Sequence, residues 1–201
     1  GFRGGYGALG ELPGSAGFGP GGGFLGEDGG GSGAGSYATA GLAPGGAAGA
    51  LYGNAGIFPL VGGSGGSGRR AEAGGGGGGG GAILIAASDT ILLDGEIRAN
   101  GGDSAYPGAG SGGAIRLVSD AVAGKGTLSC SGGEAGGGRG RSRVEAYSID
   151  LPNGPIDSTG TPGDSPRIVV SSALNLPTIQ SVSLNGQTLP GDPVSYPGQD
   201  R

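Results

Sequence analysis

The residues able to do chemistry in this chain are few, and their types narrow the choices. Histidine is absent and Cys130 is the one cysteine. Without histidine, Ser-His-Asp and Cys-His nucleophile pairs are excluded, and zinc loses its usual donors. Carboxylates remain. A glycosidase needs two of them ~5–9.5 Å apart in a cleft. Glu96 and Glu145 are the candidate pair, but Glu96 aligns with Thr127 and Pro155 in the repeat described below. No cluster of acids, arginines and aromatics marks a sugar cleft. Glu27-Asp28 and Asp89/Asp94 offer oxygens to calcium. The Gly-Gly-x-Gly-x-Asp repeat of calcium β-rolls is missing, so these read as solvated surface acids.

Glycine loops offer little more. Gly-x-Gly-x-x-Gly occurs here through sheer abundance. Gly124-Lys125-Gly126-Thr127 has the look of a phosphate loop, but Ser119 stands where the first glycine belongs and Gly126 where Ser or Thr would hold Mg²⁺. Arg69-Arg70 and Arg139/Arg141/Arg143 are small basic clusters. They read as solvated loop charge, or as contacts to an acidic neighbour or an anionic polysaccharide. Cys130 has no intramolecular disulfide partner. It reads as a small buried apolar residue, with an intermolecular crosslink as the sharper alternative. The expectation is a protein that is not an enzyme, with no catalytic, cofactor-binding or metal-binding residues and no cofactor.

What positions these residues is an unusual backbone. Glycine supplies 57 of 201 residues, against an ordinary ~7%, and charged residues only 13%. Gly1, Gly4, Gly7 and Gly10 keep a period of three, but the period breaks at Pro13-Gly14, so a collagen triple helix is rejected. Disorder from composition needs few apolar residues and high net charge. Here the net charge is −5, and apolar runs appear at Ala82–Ala87, Thr90–Leu93 and Arg167–Val170. A pI near 4.6 with scattered charges argues against nucleic-acid binding. No apolar stretch approaches the ~20 residues of a membrane helix, so no membrane insertion is expected. Residues 1–20 show no signal-peptide pattern, and the missing initial Met suggests a processed chain or a fragment.

The second half repeats itself. Gly81-Ala82-Ile83-Leu84-Ile85-Ala86-Ala87, Thr90-Ile91-Leu92-Leu93 and Gly95-Glu96-Ile97-Arg98-Ala99-Asn100-Gly101-Gly102 form one copy. Gly113–Ser119, Ala121-Val122 and Gly126–Gly133 form the second. Gly140–Ala146, Ile149–Leu151 and Gly154–Gly160 form a weaker third. Within the first piece Ile83, Ile85 and Ala87 share a face, as do Ile115 and Leu117, and so does Val144; that period of two marks half-buried strands. A unit of three short strands cannot bury its apolar face alone, but stacked copies can. Ile83 is then expected under Ile115, and Ile97 under Leu128 and then Ile156. Helix is disfavoured, since glycine costs about 1 kcal/mol per helical position. The glycine-rich excursions 101–113 and 132–140 leave the stack as loops.

The predicted fold is therefore all-β, a parallel β-helix or β-solenoid-like stack with long glycine-rich loops and a short C-terminal β-hairpin tail. Three parts are expected. Residues 1–81 are a glycine-rich extended, polyproline-II-like or irregular segment packed on the stack, with bulky residues such as Tyr6, Phe18 and Tyr37 as pegs. Residues 82–160 are the three repeats. Residues 161–201 are a strand-rich tail, in which Asn185-Gly186 between Ser183-Leu184 and Gln187-Thr188-Leu189 signals a hairpin.

The stretch Leu51–Gly66, the run Ala82–Ser88, the segment Gly95–Gly102 and the piece Arg143–Tyr147 resemble glycine-rich repeat proteins of the bacterial cell surface. The resemblance covers roughly residues 45–190. It implies a secreted, β-helical protein and transfers no catalytic site.

Together these readings point to a secreted, extracellular or cell-surface structural protein. A stack without a charged cap leaves strand edges that template a further copy, and heterologous contacts that do not close give fibres. Copies of itself are the expected partner in a filament, sheath or matrix, with a surface polysaccharide second. The alternative is a surface adhesin or carbohydrate-binding module of a larger secreted protein. An ice-binding face lacks the Thr-x-Thr array it would need.

Overall fold

The computed structural model describes residues 1–10, 12–27, 31–69 and 74–152, and the backbone of short strands at 155–156, 161–163, 183–184 and 187–188. The chain divides into two compact units, Gly1–Pro166 and Arg167–Arg201. Among the described residues twelve strands occur in order: β1 Ala82–Ala86, β2 Thr90–Leu92, β3 Glu96–Arg98, β4 Ala114–Val118, β5 Ala121–Ala123, β6 Thr127–Ser129, β7 Arg141–Glu145, β8 Ser148–Asp150, β9 Pro155–Ile156, β10 Thr161–Gly163, β11 Ser183–Leu184 and β12 Gln187–Thr188.

The first unit is all-β with parallel sheets. Strands one repeat apart lie side by side, giving sheets ordered β1-β4-β7-β10, β2-β5-β8 and β3-β6-β9. The register stacks like on like: Ile83 beside Ile115, Ile85 beside Leu117 and then Val144, Ile91 beside Val122 and then Ile149, Ile97 beside Leu128. Ile115, Leu117, Val122, Leu128, Cys130 and Val144 form the buried core, with Ile83, Ile91 and Ile97 packed against it. Alternation explains the choice, because inward residues alternate with outward ones along each strand.

One register differs from the expectation. Leu128 pairs with Pro155, and Ile156 lies beside Ser129. The turn-to-turn geometry explains the shift: Ile91 to Ile97, Val122 to Leu128 and Ile149 to Pro155 all span the same six residues. Aligning the copies on Gly154 would have required seven. The first sheet also runs past residue 160, since Thr161–Gly163 pairs with Arg143–Glu145. In the second unit, β11 and β12 pair antiparallel; the expected turn residues Asn185-Gly186 lie outside the described residues.

The glycine-rich segments form a hydrogen-bonded lattice with a period of three. Along 63–69, Gly63 and Gly66 donate to Gly80 and Gly77, Gly65 and Gly68 donate to Phe18 and Ser15, and Ser67 donates to Gly33. Successive N–H groups thus leave in three directions, as a polyproline-II-type helix with three residues per turn requires, since it makes no bonds within itself. The same segment accepts from Phe2, Gly5, Ala8, Gly23 and Ser111. Six segments therefore surround it, and each is bonded to the next: 3–6 to 15–18, Gly17 to Gly23, Ser36 to Gly21, Gly35 to Ala109, Gly77 to Gly108 and Gly76 to Gly5. Segment 108–113 is likewise bonded on several sides, to 99–102, 133, 138, 35, 64 and 77–80.

Packing this close leaves no space for side chains. A Cβ on Gly4, Gly23, Gly66, Gly79 or Gly110 would overlap a neighbouring backbone carbonyl. Where a larger residue does enter, its polar atom takes over a backbone role. Buried Ser64 accepts from the Gly21 N–H at 2.9 Å, Ser67 from Gly33 at 2.9 Å and Ser111 from Ser64 at 2.8 Å. On the edge segment Arg3 and Tyr6, three apart, are exposed, and Arg3 lies over the rings of Tyr6 and Phe18, 4.8 and 4.2 Å from their centroids. Glycine segments 77–81, 108–113 and 137–140 run directly into β1, β4 and β7, so the lattice and the sheets share one backbone.

Candidate functional site

The residues that hinted at chemistry are spoken for structurally. Glu96 on β3 pairs with Arg98 at 2.6 Å on the strand's outer side. Glu145 is buried on β7, in a different sheet. Its Oε1 and Oε2 accept from Arg116 Nε and Nη2 at 3.0 and 3.1 Å, and Oε1 also accepts from Arg143 Nε at 2.6 Å. Burial on its own pushes this carboxyl upward; the two guanidiniums outweigh it and hold the group below the ordinary glutamate range. Bonded to both arginines, Glu145 ties β7 to β4, while Glu96 lies on β3 in a different sheet.

The phosphate-loop candidate fares similarly. Gly124 has a positive φ of 128° at the corner between β5 and β6. The N–H groups of Gly124, Gly126 and Thr127 donate to the carbonyls of Asp150, Leu93 and Gly95, and Lys125 N–H donates to Asp94 Oδ1 at 3.4 Å. Four consecutive donors are consumed by neighbouring turns, and none is left to cradle a phosphate. Asp89 accepts through its backbone carbonyl from Asp120 and Ala121. Among the described residues, no group of three or more His, Cys, Asp and Glu side chains is placed to hold a metal ion. Asp28 and Arg70 lie outside the described residues.

Cys130 is fully buried, and its thiol donates to the Arg141 carbonyl at 3.3 Å. Desolvation pushes that thiol up to about 12, so it carries almost no thiolate at neutral pH. Arg69 lies over the Tyr106 ring, 4.6 Å from the centroid. It helps line a shallow depression of about 210 Å³ together with Ser32, Pro44 and Pro107.

The feature that stands out is at one end of the sheets. β1, β2 and β3 are the first strands of all three sheets, and among the described residues nothing pairs with their outer edges. Ile85 is 37% exposed, whereas Leu117 beside it on β4 is 0%; Leu84 and Leu92, which lie beside Arg116 and Ala123, are 50% and 69% exposed. The columns of core residues stop abruptly here. Sequence reasoning noted the missing charged cap without placing these residues at the end.

No family model, curated protein or solved structure matches this chain. Function must be read from the geometry alone. Among the described residues no helix is long and apolar enough to cross a membrane.

Proposed function

We propose that this chain is an extracellular structural protein, a β-solenoid braced by a glycine lattice, that self-assembles through the ends of its stack into a filament, sheath or matrix. The observation that carries the reading is the open first edge of the three in-register sheets. An edge strand presents unpaired N–H and C=O groups that template another chain, and here it also presents the unfinished end of a hydrophobic core. Among the described residues no strand or polar cap covers β1, β2 and β3, and a solenoid needs such a cap to stay monomeric.

A second reading, a surface adhesin or carbohydrate-binding module of a larger secreted protein, is favoured by the depression between Ser32, Pro44, Arg69 and Pro107. It lies where segments of a rigid scaffold end, a setting in which loops often carry recognition. Negative-stain imaging of the purified chain separates the two. Ordered polymers are expected on the structural reading. A monodisperse particle near 18.7 kDa that binds glycan would replace it with the second.

A further inference from the structure

We infer that the first-turn end is a two-fold interface with a second copy of this chain, in which β3 pairs antiparallel with its own counterpart and β1 lies against the other copy's β2. The inference rests on the stacked reading above and names the partner of its open end.

Three observations carry it. First, the core columns through Ile83, Ile91 and Ile97 continue inward in strict register and end on side chains that are only partly buried, so a further apolar strand edge would complete them.

Second, the two ends of the stack differ in shape. At the open end all three sheets begin within one turn, with β1, β2 and β3. At the other end, among the described residues, the first sheet carries a fourth strand, β10, and the other two sheets carry three. A flush end set on a stepped end leaves a rung vacant in two sheets; flush on flush leaves none. Unpaired buried backbone is costly, so flush on flush is favoured.

Third, the charges on β3 are self-complementary. Glu96 and Arg98 flank Ile97. Antiparallel pairing centred on Ile97 sets Glu96 of each copy opposite Arg98 of the other, the favourable cross-strand arrangement. Parallel stacking on β9 would set them against Pro155–Ile156, which carries no charge. A two-fold axis through Ile97 also sets Leu84 and Ile85 of β1 against Ile91 and Leu92 of β2, apolar on apolar. Such a contact is isologous. It closes a dimer, and a filament then needs a second contact at the stepped end.

The test uses the full chain. Glu96→Cys and Arg98→Cys proteins are oxidised separately and as an equimolar mixture, with buried Cys130 as an inert background. Residues directly opposite have Cβ atoms ~4.5–5.5 Å apart, close to what a disulfide needs. The expected result is a covalent dimer in the mixture, at least ~10-fold more abundant than in either protein alone. Sedimentation velocity should show the wild type at twice the monomer mass or in polymers built on that dimer. The Leu84→Lys/Leu92→Lys protein, with its circular dichroism unchanged, should show a dissociation constant raised at least ~100-fold. Should the double variant not fold, the crosslinking decides alone. Polymers without the mixed crosslink would overturn the two-fold interface and leave the structural reading standing. The mixed crosslink in a dimer that never polymerises would keep the interface and remove the filament. A monomer at every concentration, or capture only by a different protein, would overturn the interface.

Discussion

Gly66 lies so close to segment 108–113 that a Cβ on it would overlap the carbonyl oxygen of Gly108. Contacts of this kind recur at Gly4, Gly23, Gly79 and Gly110 and account for much of the chain's glycine, 57 of 201 residues. In the lattice, a segment's neighbours approach to backbone hydrogen-bond distance on every side, and the side-chain position itself becomes the contact. Gly66→Ala is therefore expected to cost at least ~3 kcal/mol, the upper range for overpacking. At Gly95 a Cβ would meet nothing within 4 Å and φ is not in the left-handed region. Gly95→Ala should stabilise by about 0.4–1 kcal/mol, by restricting the unfolded chain. Paired denaturant titrations check both signs.

Glu145 gives the chain an acid-sensitive strut. Its pKa is depressed in the folded state, where two arginines outweigh the burial that acts first to raise it. A depressed carboxylate contributes stability that is fully present above its unfolded pKa of ~4.3 and is lost as pH falls through the lower folded value. The melting temperature should therefore fall as pH drops below ~4.3, and that part of the fall should be missing in Glu145→Gln. At neutral pH Glu145→Ala should destabilise by about 3 kcal/mol, since it leaves two guanidiniums facing each other without the anion between them.

Cys130 should behave as a core residue. With its thiol fully buried and pushed up to about 12, no reaction with an aromatic disulfide reagent is expected in the native protein at pH 8. One equivalent should react in denaturant. Labelling of the native chain within minutes would contradict the burial.

Leu117 inside the core and Leu84, which lies beside Arg116 on the outward face, should differ sharply. Leu117→Ala removes a side chain that is completely buried and should cost about 3 kcal/mol. Leu84→Ala in a monomeric preparation should cost under about 0.5 kcal/mol, because the side chain is half exposed there. If Leu84→Ala is costly only at concentrations where the chain self-associates, the open end is occupied by that association.

The sheets were legible because their signals are side chains. Ile83 and Ile115, or Ile97 and Leu128, stand inside matching glycine brackets with a period of two, and they pair as that pattern implies. Ile156 was misplaced by one residue because the bracketing glycine at 154 was taken as the anchor, whereas the constant arc between sheets fixes the register. The ion cluster joins residues 29 apart in sequence; it follows from register, once Val118 is set beside Glu145.

The glycine lattice was harder to read. The three-residue period at Gly1, Gly4, Gly7 and Gly10 was visible, and its break at Pro13-Gly14 argued against collagen. Which segment bonds to which was hidden, because a glycine has no side chain to encode its neighbour. Ser64 and Ser67, three apart in Gly-Gly-Ser-Gly-Gly-Ser-Gly, were the available signal: both are buried and both accept from a neighbouring backbone N–H.

Residue-resolved amide hydrogen exchange tests most directly whether the glycine segments are a scaffold rather than a tether. The N–H groups of Gly63, Gly66, Gly77, Gly80 and Gly110 each donate to a neighbouring segment, and they should be protected to a degree comparable with Ile115 and Leu117 in the core. Exchange of these glycines at random-coil rates, with the core amides still protected, would show that the lattice does not hold and would contradict the account.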